Sequence, residues 1–215
     1  MKQQTCKLCG SVFHSRYKCP HNLEAKQKHL DTIKRMNTKP RKRKPTLTQI
    51  NKKLKEGGTL TIAEKKIQYN KQKDKAWKAF SNWVRKSECL TSTGTFEKGI
   101  CVTCDIAGRP SEFPYEKLQA GHAVGGRGNA VLFHEELVHI QCQQCNRQGN
   151  GGLSGDYGNY MTYLVRKYGL EHAEGLQRLK NTYKEITYQD LVDIEKKYKD
   201  KLKDLIAKDK RINLI

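Results

Sequence analysis

The chain has 215 residues and a formal net charge of +20, from 42 Lys and Arg against 22 Asp and Glu. Only 36% of its residues are hydrophobic, and no apolar run approaches the roughly 18 residues that a membrane-spanning helix needs. This composition argues against a membrane protein and against one large core, and the charge favours a polyanionic partner, most often nucleic acid. The polar N-terminus shows no secretory pattern, so we expect a cytoplasmic protein.

The N-terminal cysteines predict a first metal site. In a reducing compartment, the eight cysteines of the chain favour metal binding over disulfides. Cys6 and Cys9 form a CxxC pair followed by glycine, which is typical of a zinc knuckle. We predict that Cys19 is the third ligand and His21 the fourth, with His14 as the alternative to His21.

A basic segment follows. Residues 24–86 carry 20 Lys and Arg against 5 Asp and Glu, and so supply +15 of the net charge. Pro40 and the pair Gly57-Gly58 interrupt any helix in this segment. We therefore predict a basic arm of broken helices and linker, which contacts phosphates without reading the base sequence.

From Ala76 onward the pattern predicts a folded core. Trp77, Phe80 and Val84 recur at helical spacing and indicate an apolar helix face. Short apolar runs, partly β-branched, then indicate strands. The predicted strands cover residues 100–103, 118–123, 130–133 and 137–140.

The C-terminal part is predicted to be helical. After a glycine-rich run, apolar residues at helical spacing predict a helix that Gly169 stops. The last helix is predicted to begin at a capping box formed by Thr187 and Asp190, with an apolar seam that docks on the core or on a partner.

The most informative stretch runs from Cys101 to Asn146. It opens with the pair Cys101/Cys104 and ends with the pair Cys142/Cys145, a spacing typical of a zinc site with four cysteine ligands. Four thiolates complete a tetrahedral shell and leave no position for water, so this zinc is predicted to be structural. It would hold two chain segments together in a region with little apolar core.

Catalytic chemistry would then depend on residues between and beside the cysteine pairs. His122 follows a predicted strand among small residues, which suits a general base. Asn146 directly follows a zinc cysteine, and its amide oxygen could hold Mg²⁺ or Mn²⁺. His139 could ligate the same cation or orient His122, and Arg127 could bind the scissile phosphate.

These motifs resemble a known family. The order CxxC, Ala-Gly-His, Val-His-x-Gln-Cys-x-x-Cys-Asn and Leu-Ser-Gly is similar to the NinG/Rap family of lambda-like phage recombination endonucleases, within the HNH or ββα-metal nucleases. The likeness covers most of the chain and is weakest over residues 25–75. It implies an α+β fold with a small zinc-stapled ββα-metal (HNH-like) core, an N-terminal zinc knuckle and flanking α-helices.

The same resemblance implies a function. The expected activity is metal-dependent nicking of branched recombination DNA, such as D-loops and Holliday junctions, with Mg²⁺ or Mn²⁺ beside one or two structural zinc ions. His122 would be the general base and Asn146 the last residue of the HNH triad. A homodimer and contacts with recombination proteins are compatible with this expectation.

Two positions depart from the HNH pattern. Gly121 stands where many HNH enzymes have an Asp that ligates the cation, and Leu137 stands where the middle Asn is expected. His139 and Asp156 are therefore predicted as replacement ligands of the cation. The predicted domains are a zinc knuckle (1–24), a basic arm (25–75), the nuclease core (76–168) and C-terminal helices (169–215).

Two other functions fit parts of the sequence. A non-catalytic zinc-ribbon protein that binds nucleic acid would use the same cysteines and the same positive charge. A zinc deaminase is suggested by His134-Glu135-Glu136, which matches HxE before CxxC. The deaminase would leave Cys101 and Cys104 without a role, so we reject that function.

Overall fold

A computed structural model of the chain describes residues 23–38, 44–125, 128–149 and 151–212. The fold is a mixed α+β structure in which helices predominate over two small antiparallel sheets. The chain divides into two compact units, residues 1–49 and residues 50–215. Within the described ranges, no helix is both long and apolar enough to cross a membrane.

The basic arm contains regular helices. Helix α1 spans Leu23–Thr38 and helix α2 spans Leu47–Lys55. The side chain of Thr46 accepts a hydrogen bond from the backbone N–H of Gln49 (3.3 Å), while the Gln49 side chain accepts one from the Thr46 N–H (2.8 Å). This reciprocal capping starts α2 directly after the predicted break in the arm.

Helix α3 is the longest helix in the described part of the chain and spans Ile62–Thr93. It starts at a capping box between Thr61 and Glu64 and ends at Gly94, whose φ of 71° suits glycine. No proline or glycine interrupts it, so the predicted domain boundary between residues 75 and 76 falls inside one continuous helix. The predicted apolar face is confirmed, because Phe80 and Val84 are buried.

Helix α9 (Tyr188–Ile212) packs along α3. The ring of Tyr198 meets that of Phe80 edge-on, with centroids 4.7 Å apart. The predicted capping box is confirmed, since Asp190 accepts a hydrogen bond from the Thr187 N–H (2.8 Å) and the Thr187 hydroxyl accepts one from the Asp190 N–H (3.1 Å). The C-terminal helix therefore covers the side of α3 that carries the aromatic residues.

Two hairpins form the sheets. Strand β1 (Lys98–Ile100) pairs with β2 (Glu112–Pro114), and strand β3 (Leu118–His122) pairs with β4 (Val138–Cys142), both antiparallel. The strands predicted over residues 118–123 and 137–140 are thus confirmed as paired neighbours. The helices that follow or connect these strands are α4 (Val102–Ile106), α5 (Asn129–Leu132), α6 (Gln143–Asn146), α7 (Tyr157–Tyr168) and α8 (Leu170–Arg178).

The strand predicted at residues 130–133 is wrong. Residues 130–132 belong to α5, in which the Gly128 carbonyl accepts hydrogen bonds from the N–H groups of Val131 (3.1 Å) and Leu132 (3.0 Å). Both side chains are buried, and Val131 belongs to a cluster with residues of α7 and α8. Packing against those helices therefore outweighs the β propensity of this short apolar run.

Tyr160 of α7 joins the second hairpin to the helices. Its hydroxyl accepts a hydrogen bond from the backbone N–H of His139 (2.7 Å) and donates one to the carbonyl of Gly121 (2.8 Å). Because Gly121 and His139 are paired residues, the hydroxyl connects the two strands. Burial raises the pKa of Tyr160 well above its ordinary value, so the phenol keeps the proton that it donates.

We predict that Tyr160→Phe lowers the free energy of unfolding by about 1–3 kcal/mol, since it leaves a buried N–H and a buried carbonyl without their shared partner. Urea denaturation followed by circular dichroism measures this change. Tyr183→Phe is the control, because Tyr183 is 87% exposed. Equal stability of the two variants would contradict the bridging role of Tyr160.

Candidate metal centre and catalytic residues

Four cysteines from two short helices converge on one point. Cys101 caps the N-terminus of α4, and Cys104 lies within that helix. Cys142 and Cys145 occupy the same two positions in α6. Each CxxC pair therefore places both thiols at one end of a short helix, and the fold brings the two ends together.

The sulfur atoms of this four-cysteine cluster fit one tetrahedral metal. The four Sγ atoms all lie within 4.8 Å of one another, and Cys104 Sγ is 3.7 Å from Cys142 Sγ and 3.4 Å from Cys145 Sγ. A Zn–S bond of about 2.3 Å implies sulfur atoms roughly 3.8 Å apart. All four thiols are buried and free of disulfides. The four-cysteine cluster could therefore hold a zinc ion, as predicted.

Because every cluster position is a thiol, the deaminase ligand set of one His and two Cys does not form in the described residues.

Burial raises the pKa of the Cys145 thiol to about 12, so zinc would have to displace a proton from it.

Arg109 lies beside the four-cysteine cluster. Its Nη2 atom donates to Cys145 Sγ (3.4 Å) and to Asp156 Oδ2 (2.5 Å). The hydrogen bond to Asp156 raises the pKa of Arg109, which keeps the guanidinium charged. A positive charge here would compensate a cluster of thiolates.

Asp156, a predicted cation ligand, is paired with protein donors in this arrangement. One carboxylate oxygen accepts from Arg109, and the other accepts from the Asn159 amide (2.8 Å). Arg109 is distant in sequence, so no local signal links it to Asp156. The role of Asp156 as a cation ligand stays a prediction.

His122 ends strand β3 and is largely buried, with 8% of its surface exposed. Its ring stacks on Trp77 of α3, with centroids 5.0 Å apart and planes at 15°. Its Nε2 atom lies 3.2 Å from the carbonyl oxygen of Leu132. Since a carbonyl only accepts, Nε2 carries a proton, and a neutral ring would then have its lone pair on Nδ1. This is the tautomer that a general base acting through Nδ1 requires.

His139 has the contacts of a buried structural histidine. Its Nδ1 atom makes an ion-pair contact with Glu88 Oε1, and its Nε2 atom lies 3.2 Å from the carbonyl oxygen of Glu136. The second oxygen of Glu88 accepts from the backbone N–H of Ile140 (2.7 Å). The predicted role of His139 as a cation ligand conflicts with this arrangement, because protein oxygens already occupy both ring nitrogens.

The register of the hairpin also separates the two histidines. His122 pairs with Val138, whereas His139 pairs with Gly121. Paired residues share a face and successive residues alternate, so the side chains of His122 and His139 lie on opposite faces of the sheet. The structure does not bring these two predicted site residues together, and His139 does not orient His122.

Asn146 lies at the end of α6, beside Gly121. Its amide nitrogen donates to Gln119 Oε1 (2.8 Å), and its Oδ1 atom would be 3.1 Å from a Cβ placed on Gly121. The structure therefore places Asn146 against the position that a side chain at residue 121 would occupy.

Gln141 explains why residue 121 has no side chain. A Cβ at Gly121 would lie only 2.0 Å from Gln141 Oε1. Gln141 is completely buried, and sequence reasoning did not assign it a role in the site. Gln141 pairs with Gln119 in the hairpin, so the two side chains share a face, and Gly121 lies on that face too. Only this strand register could have indicated that the Gln141 side chain lies next to Gly121.

The glycine-rich run after α6 folds back onto that helix. The N–H groups of Leu153, Ser154 and Gly155 donate to the carbonyls of Gln144, Arg147 and Cys145, respectively. The loop therefore supports the second cysteine pair. A one-turn helix carries Asn146, and the next helix begins only at Tyr157.

Several predicted site residues lie outside the described residues. They are the phosphate-binding candidate Arg127 and the N-terminal zinc ligands, namely Cys6, Cys9, Cys19 and His21, with the alternative His14. Their assignments stay predictions.

Comparison with known proteins identifies a family. The family model described as Bacteriophage Lambda NinG protein matches residues 1–208, which include both cysteine pairs of the four-cysteine cluster. Neither the curated proteins nor the solved structures contain a significant match to the chain.

We predict that Cys104→Ser lowers the zinc content by one ion per chain relative to wild type, because it removes one of four converging thiols. Inductively coupled plasma mass spectrometry of the purified proteins measures this difference. The difference isolates the four-cysteine cluster, whatever the N-terminal cysteines bind.

Cys89→Ser is the matched control, since Cys89 is also buried but lies outside the cluster. An unchanged zinc content in Cys104→Ser would show that the four-cysteine cluster holds no metal.

Proposed function

We propose that this chain, which belongs to the bacteriophage lambda NinG family, is a divalent-metal-dependent endonuclease that cuts branched DNA. The single observation that carries the proposal is the position of His122. It lies at the end of a hairpin that the four-cysteine cluster anchors, with its ring stacked on Trp77 and its tautomer set by the Leu132 carbonyl. As part of this proposal, β3, β4 and α6 would form a ββα core like that of the HNH nucleases.

The proposed role of His122 follows from its ring. Nε2–H donates to the Leu132 carbonyl, so Nδ1 is the ring atom that would take a proton from the attacking water when His122 acts as the base. The water oxygen then forms a bond to phosphorus while the bond to the leaving oxygen breaks. Stacking on Trp77 restricts rotation of the ring, which keeps Nδ1 directed at one place.

The cation has a candidate ligand in Asn146. When bound, Mg²⁺ or Mn²⁺ would supply positive charge to the scissile phosphate and the leaving oxygen. The amide oxygen of Asn146 is directed toward the side-chain position of Gly121, the sequence neighbour of His122, and oxygen is the donor that both ions prefer. The residues present are therefore compatible with such a cation.

Exposed lysines favour DNA as the substrate. Lys71, Lys75 and Lys78 are exposed on α3, and their spacing places them on one helix face. Trp77, which contacts His122, belongs to the same helix. Phosphate contacts along α3 would thus bind DNA through the element that also positions the base. We propose selectivity for branched DNA because the sequence resembles recombination endonucleases.

One observation favours the second candidate, a non-catalytic zinc protein that binds nucleic acid. Among the described residues, the four-cysteine cluster is the only group of three or more His, Cys, Asp or Glu side chains close enough to hold a metal. That part of the chain therefore offers no second cluster of three or more such side chains for another cation. Cleavage assays decide between the two candidates.

We predict that His122→Ala lowers the rate of Mg²⁺- or Mn²⁺-dependent cleavage of a four-way junction by about 10²–10⁴-fold, the usual contribution of a general base. Single-turnover cleavage of labelled junction and of plain duplex measures the rate and the preference for branches. His172→Ala is the matched control, because His172 is a half-exposed histidine on α8.

Full activity of His122→Ala would refute its role as the base. If wild type cuts no substrate with either cation, the non-catalytic candidate is correct.

We predict that replacing Lys71, Lys75 and Lys78 with Ser weakens DNA binding without changing zinc content. The slope of log K against log salt should fall by about 0.9 for each phosphate that a lysine no longer neutralises. Fluorescence anisotropy at several salt concentrations measures the slope. A control set of equal charge comes from three lysines of α9, and the same fall in that set would show that the effect reflects net charge alone. The control lysines are Lys196, Lys203 and Lys208.

A further inference from the structure

We propose that Tyr183 stacks on an unpaired base of branched DNA. Tyr183 lies in the segment that connects α8 to α9, residues 179–187, which we call the Tyr183 loop. The inference rests on the proposed nuclease function and adds to it the contact that distinguishes a branch from plain duplex. The bases of a duplex are paired and stacked on one another, whereas single-stranded bases offer a face to an aromatic ring.

The Tyr183 side chain is 87% exposed. It makes no hydrogen bond and no ring contact with any other described residue. Tyr157 and Tyr188, the other exposed tyrosines in the described ranges, are only 43% and 41% exposed. A tyrosine ring offers a large contact area at a low cost in conformational entropy, so a base that covers it gains affinity efficiently.

The Tyr183 loop is held at both of its ends. At one end, Leu179 packs against the apolar cluster that includes residues of α5, α7 and α8, and the Thr182 N–H donates to the Leu179 carbonyl (3.0 Å). At the other end, Ile186 is buried, and its carbonyl accepts a hydrogen bond from the Tyr69 hydroxyl (2.9 Å). Only residues 183–185 lie between these anchors. The exposed ring is therefore presented by a short segment of fixed position, which lowers the entropic cost of binding.

Two exposed lysines flank the ring. Lys180 and Lys184 form no ion pair with any residue that the structure describes. Positive charge beside an aromatic ring is the combination that binds single-stranded nucleic acid, because it pairs phosphate contacts with stacking. Three acidic side chains nearby line the groove between the loop and helices α5 and α9, which neither Tyr183 nor Lys180 lines. They are Glu185, Asp190 and Asp193.

The Tyr183 loop is also close to the proposed general base. A Cβ on Gly128 would be 4.0 Å from the Lys180 carbonyl oxygen, and Gly128 lies at the start of α5. The Leu132 carbonyl at the other end of α5 accepts from His122. A helix of this length rises about 6 Å, and three residues of extended chain add at most about 11 Å. The backbone of Tyr183 is therefore on the order of 20 Å from His122, roughly six steps of stacked DNA.

The neighbours of Tyr183 favour a nucleic acid over a protein partner. The residues on either side of it in the chain are Thr182 and Lys184, which are both exposed and polar. The centre of a protein interface is typically apolar and depleted of lysine, and its aromatic residues lie among other apolar side chains. A single ring between lysines lacks that surrounding, whereas it has what a stacked base and its phosphates require.

The test measures DNA binding separately from cleavage. Fluorescence anisotropy of zinc-loaded full-length protein, without added Mg²⁺ or Mn²⁺, gives the Kd for two labelled DNAs with equal numbers of phosphates. One is a forked duplex with unpaired thymine arms, and the other is fully paired. We expect Tyr183→Ser to raise the Kd for the fork about 5–150-fold, the usual loss when a stacking residue is removed. We expect its Kd for the paired duplex to stay within about twofold of wild type, since phosphate contacts remain.

Three further variants separate stacking from other effects. Tyr183→Phe should bind the fork as wild type does, because the ring is kept. Tyr188→Ser is the matched control, since Tyr188 is an exposed tyrosine at the start of α9, outside the loop. Lys180→Ser/Lys184→Ser should weaken binding of the fork and of the duplex by similar factors, because phosphates are present in both. Circular dichroism and zinc content show that each variant is folded.

The proposal is overturned if Tyr183→Ser binds the fork as tightly as wild type, a result that would leave the loop to a protein partner. It is also overturned if the variant loses the same factor on both DNAs, or if wild type binds neither. Failure of the nuclease function is distinguishable. If fork binding depends on Tyr183 but wild type cuts no DNA with Mg²⁺ or Mn²⁺, the stacking contact stands and the catalytic role falls. If wild type cuts branched DNA and Tyr183→Ser binds the fork normally, only the assignment of Tyr183 fails.

Discussion

The convergence of the four thiols in the four-cysteine cluster is the constraint on which the rest of the core depends. Strand β4 ends at Cys142, and α6 begins there, so the cluster fixes the end of the second hairpin relative to α4. In the described part of the chain each sheet has two strands, and hairpins of this size are marginally stable alone. A zinc ion bound at the cluster would supply folding free energy that the small core does not.

From this anchor, the second hairpin presents two different faces. On one face, His122 stacks on Trp77 of α3, and this is the face of the proposed base. On the other face, which also carries the side-chain position of Gly121, His139 is buried by Glu88 and by Tyr160. One strand register thus separates a residue proposed for catalysis from a residue that stabilises the fold.

Much of the core could be predicted from the sequence, because its signals are local. CxxC spacing identified the four-cysteine cluster, helical spacing identified the buried face of α3, and a capping box identified the start of α9. The failures are non-local. Residues 130–132 form a helix because they pack on α7 and α8. The pairing of Asp156 with Arg109 and the position of Gln141 beside Gly121 also depend on contacts between distant segments, which the sequence does not show.

The central claim is that zinc maintains the core while a separate cation supports cleavage beside His122. The most direct measurement is single-turnover cleavage of a four-way junction by protein with its zinc bound and all other divalent ions removed, followed by titration with Mn²⁺. The account predicts no cleavage at the start and a rate that rises with Mn²⁺ while the zinc content stays constant. Full cleavage by the zinc-only protein would contradict the account, because the four-cysteine cluster would then contribute to catalysis.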